Sequence, residues 1–359
     1  EAIPQQLPPS DLSDVEREPL VQYLRELIGE MLTINPPFRP SVQHVATRAQ
    51  WLAKMSSMIG SPIEGRYRPE RVLSLGGMGA VLLAVDERVS TNEVAAKVAI
   101  KVPYPESDKA RIGQEITAII HAGQKSNDIV EIVDRGTLPE IGPYIVMRFL
   151  EGETLKTRMQ KRGMLDVQEA LLIVERLAVA LCTIHRQGIF HRDVKPENVM
   201  IVADPAMPNG ERYKLLDFGI ARVASVEPTR GKRVTSVGMR MGTHGYIAPE
   251  QNIDASTATS KADVFSLGAM LYEMVSGHLP ALPRLRWHGS PALLRLLARM
   301  MDDSPENRPD MNAVYERLHQ IRTRRTLLKR IGLVIAIVGV GAVALLIIAT
   351  RETNAPDST

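Results

Sequence analysis

The sequence predicts an α+β fold in two lobes, strand-rich first and helical later, followed by a single transmembrane helix. Three observations predict it. Between residues 67 and 150, β-branched runs alternate with turn residues, as in YRPERVLSLGGMGAVLLAVDE and VAAKVAIKVP. Beyond Glu153 apolar residues recur at helical spacing, as in LLIVERLAVALCTIH at 171–185. The run IGLVIAIVGVGAVALLIIAT at 331–350 carries no charge and is long enough to cross a bilayer core of roughly 30 Å.

The elements follow in order. Residues 1–19 are Pro-rich and acidic-polar, which suggests a linker. Residues 20–55 show helical spacing broken by NPPFRP. The chain also matches itself: LRELIGEMLTINPPFRPSVQHV (24–45) aligns without gaps on LLRLLARMMDDSPENRPDMNAV (293–314), and both contain P-x-x-R-P. Residues 56–66 would link the two parts. Two strands around a glycine turn are expected over 67–87, a buried strand over 94–103, a helix around 110–124, and strands at 129–138 and 144–150. Residues 321–330 form a basic segment before the apolar run, with Arg322, Arg324, Arg325, Lys329 and Arg330; Arg351 follows. That asymmetry places everything before the span in the cytoplasm and leaves 351–359 as a short tail outside.

Composition narrows the partners. Lys plus Arg total 44 against 41 Asp plus Glu, a net charge of +3, so no nucleic-acid partner is expected. The one cysteine, Cys182, leaves no intrachain disulfide and reads as a small buried hydrophobe.

The chemistry is concentrated in HRDVKPEN, 191–198. Asp193 is an acceptor for a substrate proton. Lys195 lies where it can neutralise a transferring phosphoryl group, and Asn198 offers a carbonyl oxygen to Mg²⁺. Upstream, SLGGMGAV (74–81) supplies glycines that let backbone N–H groups approach phosphates. VAIK (98–101) places a cation on a strand, DFG (217–219) follows a strand end, and GTHGYIAPE (242–250) closes the set.

In this combination and order, residues 67 to about 320 resemble a serine/threonine protein kinase of the bacterial eukaryotic-like (Hanks) type. The resemblance implies the two-lobed protein kinase fold, ATP and Mg²⁺ as cofactors, and protein substrates with Ser/Thr acceptors. It implies Asp193, Lys195 and Thr243 as catalytic residues, with Asn198 and Asp217 as Mg²⁺ ligands. Ser74, Gly76, Gly79 and Val81 would cover the phosphates, Ser74 standing where the family has its first glycine. Lys101 would hold the α- and β-phosphates, paired with Glu115 or, alternatively, Glu131. Val81 and Ala99 would form the upper wall of an adenine pocket, Met200 the lower wall and Met147 the back, with the backbone of Arg148 and Leu150 on the adenine edge. Structural roles are implied for a Glu250–Arg308 pair and for Asp263 as a brace of the catalytic loop.

The self-match then implies that residues 20–55 resemble the C-lobe end of a preceding kinase domain. The stretch between Gly277 and Leu293 is short for the family. Segment 220–241 carries Thr229, Thr235 and Ser236 among Arg230, Lys232, Arg233 and Arg240, and autophosphorylation is expected at Thr235 or Ser236. The expected setting is a single-pass protein of the bacterial inner membrane, with self-association among its expected partnerships. The rival reading is a membrane-anchored pseudokinase or scaffold that binds nucleotide without transfer.

Overall fold

The computed structural model describes residues 42–76, 79–89, 96–104, 120, 126–138, 141–217, 244–253, 259–280 and 289–324. The apolar run 331–350, Glu115, Thr243, most of 110–124 and segment 220–241 lie outside these residues. Among the described residues, no helix is long and apolar enough to cross a membrane.

A five-stranded antiparallel sheet forms the N-terminal lobe. Its strands are β1 (Tyr67–Gly76), β2 (Gly79–Asp86), β3 (Lys97–Pro103), β4 (Ile132–Leu138) and β5 (Gly142–Arg148), in the order β1-β2-β3-β5-β4. Gly76 pairs with Gly79 across the β1–β2 turn. Gly79 has φ +140°, and a Cβ there would collide with the Val102 carbonyl oxygen on β3, so only glycine fits. Successive residues of β3 enter different clusters. Val98, Ile100 and Val102 join an outer apolar cluster, whereas Ala99 joins the core shared with the helical lobe. This is the period of two that a sheet buried on both faces requires.

The C-terminal lobe packs helices around α5 (Ser260–Ser276), in which all but three residues are buried. Helix α3 (Val167–His185) lies against it; Asp166 caps α3, and its side chain accepts a hydrogen bond from the Gln168 amide. Helices α2 (Leu155–Arg162), α4 (Pro249–Ile253), α6 (Pro291–Met300) and α7 (311–324) complete the described lobe. A small antiparallel sheet of β6 (Gly152–Thr154), β7 (Val199–Ala203) and β8 (Glu211–Leu215) carries the catalytic stretches at its ends.

Helix α1 (Val42–Ser57) packs on the N-terminal lobe. Trp51, Leu52 and Met55 are buried on the outer face of the N-lobe sheet, with Tyr67, Leu82, Ile100 and Val102. Residues 56–66, expected to be a linker, are hydrogen-bonded onto the lobe: Gly60 N donates to Pro69 O at 2.8 Å, and Ile63 N to Tyr67 O at 2.7 Å. Arg66 joins Asp86 and Asp134, each at 2.7 Å. The apolar face of this sheet needs cover, and α1 supplies it.

The expected Glu250–Arg308 pair is present. Both guanidinium NH₂ groups of Arg308 donate to the Glu250 carboxylate, at 2.7 and 2.8 Å, and the remaining donors reach the carbonyls of Asp302, Asp303 and Lys261. Arg308 is buried, so removing it leaves carboxylate and carbonyl acceptors unpaired. Arg308→Ala is expected to lower stability by about 3–5 kcal/mol, measured as a shift of the urea midpoint at unchanged slope.

Candidate active site

The catalytic stretch is held from below by one carboxylate. Asp263, near the start of α5, is wholly buried. Its Oδ2 accepts from the His191 amide at 2.9 Å and its Oδ1 from the Arg192 amide at 2.7 Å. His185, at the end of α3, places Nε2 2.8 Å from Oδ2. Burial alone would push the Asp263 carboxyl up, but the His185 hydrogen bond and the neighbouring imidazoles outweigh it and hold the group below its usual range. The clamp also holds an uncommon backbone: Arg192 has φ +63°, a conformation that costs about 1–3 kcal/mol in a non-glycine residue. The Arg192 carbonyl is held too, accepting from Gln251 Nε2 at 3.0 Å.

His191 is fully buried, and burial pushes its imidazole below the usual histidine range. The neutral ring has one donor and one acceptor, and both are used. Nε2 lies 2.6 Å from the Leu216 carbonyl, which can only accept, so Nε2 carries the proton. Nδ1 then accepts from the Asp193 amide at 3.3 Å. This ring joins the catalytic stretch to the residue before Asp217.

The side chains above this base converge. Lys195 Nζ is 2.8 Å from Asp193 Oδ2. Asn198 Nδ2 donates to the same Oδ2 at 2.9 Å and to the Asp193 carbonyl at 2.8 Å, so its Oδ1 is the amide oxygen left for a metal. The Asn198 carbonyl accepts from Leu216 N at 2.8 Å, which sets Asp217 beside it. Lys101, on β3, reaches down to Asp217 Oδ1 at 2.8 Å. Asp193, Lys195, Asn198, Asp217 and Lys101 therefore form one connected cluster drawn from both lobes.

Asp217 and Asn198 offer the hard oxygen donors that suit Mg²⁺. Among the described residues no group of three or more His, Cys, Asp or Glu forms a protein-only cage. The two-residue donor set fits a metal whose other ligands come from a phosphate and water.

The apolar residues also gather. Ala99 and Met147 belong to one core cluster, with Val81 and Leu150 packed against it. Met200 is half-buried on β7, and Ser74 is exposed on β1, opposite Val81. The Arg148 amide donates to the Glu131 carbonyl at 2.9 Å, which narrows the expected adenine contact of Arg148 to its carbonyl. Glu131 binds the Arg148 side chain at 2.7 Å on the surface. Glu115 and Thr243 lie outside the described residues.

The family model for the protein kinase domain matches residues 67–318. The chain belongs to the protein kinase family. It is 37% identical over 268 residues to serine/threonine-protein kinase PknA of Mycobacterium tuberculosis, covering 72% of this chain and 56% of that protein. It is 36% identical over 278 residues to serine/threonine-protein kinase pkn2 of Myxococcus xanthus, covering 69% and 31%. With serine/threonine-protein kinase PrkC of Bacillus subtilis the identity is 35% over 228 residues, covering 62% and 32%. The chain thus spans about half the length of PknA and a third of the other two.

The kinase site also uses residues that sequence reasoning did not single out. His185 lies 78 positions from Asp263, and Gln251 lies 59 from Arg192. A helix-end histidine and a glutamine after APE carry no spacing signal of their own. Ser266 Oγ donates to the Tyr246 carbonyl at 2.7 Å and ties GTHGYIAPE to α5.

A histidine whose folded pKa lies below its unfolded value of about 6.5 contributes stability above that pH and loses it as pH falls. Wild-type Tm is therefore expected to fall from pH 8 to 5.5. In His191→Gln, which keeps a donor and an acceptor but cannot titrate, the decline should be shallower by about 2–4 °C. His185 is common to both proteins, so the difference in slope belongs to His191.

Proposed function

We propose that this chain transfers the γ-phosphoryl group of ATP to Ser/Thr hydroxyls of proteins. The observation that carries it is the connected cluster of Asp193, Lys195, Asn198, Asp217 and Lys101. Phosphoryl transfer asks a protein mainly to hold phosphates, neutralise their charge and align a nucleophile, and the cluster has a group for each task.

Asp193 accepts or orients the hydroxyl proton at Oδ2, the atom already held by Asn198 and Lys195. Lys195 balances charge on the phosphoryl group as it moves. Lys101 holds the α- and β-phosphates, with Glu115 as its steadying partner. Asn198 Oδ1 and the Asp217 carboxylate hold Mg²⁺, which when bound neutralises phosphate charge. The backbone at Ser74, Gly76 and Gly79 closes over the phosphates. Val81 and Ala99 sandwich adenine against Met200, Met147 backs the pocket, and the Arg148 carbonyl and Leu150 backbone meet the adenine edge. Thr243 lies beside the incoming hydroxyl. Ser74 removes no charged group, so it leaves this scheme intact.

Residues 331–350 anchor the chain as a single span, with the kinase domain on the cytoplasmic side of a bacterial inner membrane; the apolar length and the Arg/Lys excess at 322–330 support this. Substrates are proteins with Ser or Thr acceptors, and copies of the chain associate to phosphorylate one another.

Asp193→Asn keeps the shape and removes the base. It is expected to lower transfer from γ-labelled ATP at least about 100-fold while ADP still binds in the presence of Mg²⁺. A wild type that binds nucleotide yet transfers nothing would instead support the scaffold reading. Phosphate on the active wild type is expected at Thr235 or Ser236, with activity reduced in the Thr235→Ala, Ser236→Ala double variant. Phosphopeptide mass spectrometry checks the first, and the rate of substrate labelling checks the second.

A further inference from the structure

We propose that α1 is a built-in brace for the N-terminal lobe that sets the position of β3 and, through it, of Lys101. Trp51 and Met55 are then positioning residues for phosphoryl transfer. The inference rests on the kinase reading above and adds to it an element outside the matched span 67–318.

The two faces of β3 carry the argument. Lys101 points toward Asp217, while its neighbours Ile100 and Val102 pack in the outer cluster with Trp51, Leu52 and Met55. Trp51 is 2% exposed and Met55 1%. At the end of the strand, the Trp51 ring lies 4.5 Å from the ring of Tyr104, and the Arg48 guanidinium sits 5.0 Å from the same ring. The strand that presents Lys101 is thus held from behind along its second half. A shift of α1 would move β3, because close-packed side chains transmit displacement.

Two positions of this face are buried in α1 and exposed in α7. Val42 matches Met311, and continuing the same register beyond the matched segment sets Trp51 and Met55 against Gln320 and Arg324 in α7. In α7, Met311 is buried, whereas Gln320 and Arg324 are exposed. In α1 the pattern is reversed: Val42 is 86% exposed, and the positions matching Gln320 and Arg324 are the buried Trp51 and Met55. Leu52 and its match Ile321 are buried in both helices, whereas the positions of Trp51 and Met55 are buried in α1 alone. The apolar side chains of Trp51 and Met55 suit the N-lobe sheet on which they pack.

Trp51 acts through its ring. Its indole N–H has no hydrogen-bond partner among the described residues. Phenylalanine therefore keeps the contact with Tyr104 and gives up no hydrogen bond to the described residues.

Full-length wild type, Trp51→Ala, Trp51→Phe and Arg48→Ala are compared at a temperature below every Tm. The readouts are kcat, KM for ATP, and Kd for ADP with Mg²⁺. The expected result is an ATP KM and an ADP Kd raised about 10-fold in Trp51→Ala, largely restored in Trp51→Phe, with a smaller rise in Arg48→Ala. A Trp51→Ala protein with lowered Tm but unchanged KM and Kd overturns the brace and leaves α1 a structural cover. Should Trp51→Ala not fold, Met55→Ala and Arg48→Ala decide, and unchanged nucleotide constants in both overturn it. An inactive wild type sinks the kinase reading alone, because the ADP affinities still judge the brace.

Discussion

The catalytic stretch depends on the buried carboxylate of Asp263. A lone charge in a protein interior costs several kcal/mol, and this one is retained because donors surround it. Two are backbone amides of the catalytic stretch and the third group is the His185 ring. The contact works in both directions. The His185 hydrogen bond, aided by the neighbouring imidazoles and the amides, keeps the carboxylate ionised against its burial, and the carboxylate holds Arg192 in a backbone conformation that it would otherwise leave. Asp193 leaves that turn with its orientation set before any substrate arrives.

Two further links extend the constraint. His191 uses its two ring nitrogens to couple the Asp193 amide to the Leu216 carbonyl, next to Asp217. Asn198 binds Asp193 through its side chain and Leu216 through its backbone carbonyl. Asp193 and both candidate metal ligands therefore share one hydrogen-bonded frame. Lys101 is the member that comes from the other lobe, through Asp217. Its placement depends on β3, which is buried on both faces.

Much of this was legible in the sequence, for a local reason. HRDVKPEN, DFG and VAIK pack their functional groups into a few residues, so spacing along the chain limits where those groups can go. The β1–β2 turn was legible because glycines cluster between two strand patterns in SLGGMGAV, and the structure gives Gly79 its reason, since no Cβ fits there. The Glu250–Arg308 pair and the Asp263 brace were legible only through family resemblance, since neither residue announces its partner. His185 and Gln251 were not legible at all. They act across 78 and 59 positions, and their residue types occur equally well on an ordinary helix end or loop.

The sequence by itself determined the order of strands and helices, the chemical groups of the site and the family, because periodicity and short motifs are local properties of a chain. It also showed that 24–45 and 293–314 are alike, and that likeness suggested a similar use for both. The tertiary structure decided where α1 packs, because a sheet with a second apolar face must bury it against something. A helix carrying Trp51, Leu52 and Met55 on one side meets that need, and which surface a helix covers is settled by its packing partner and not by its own periodicity.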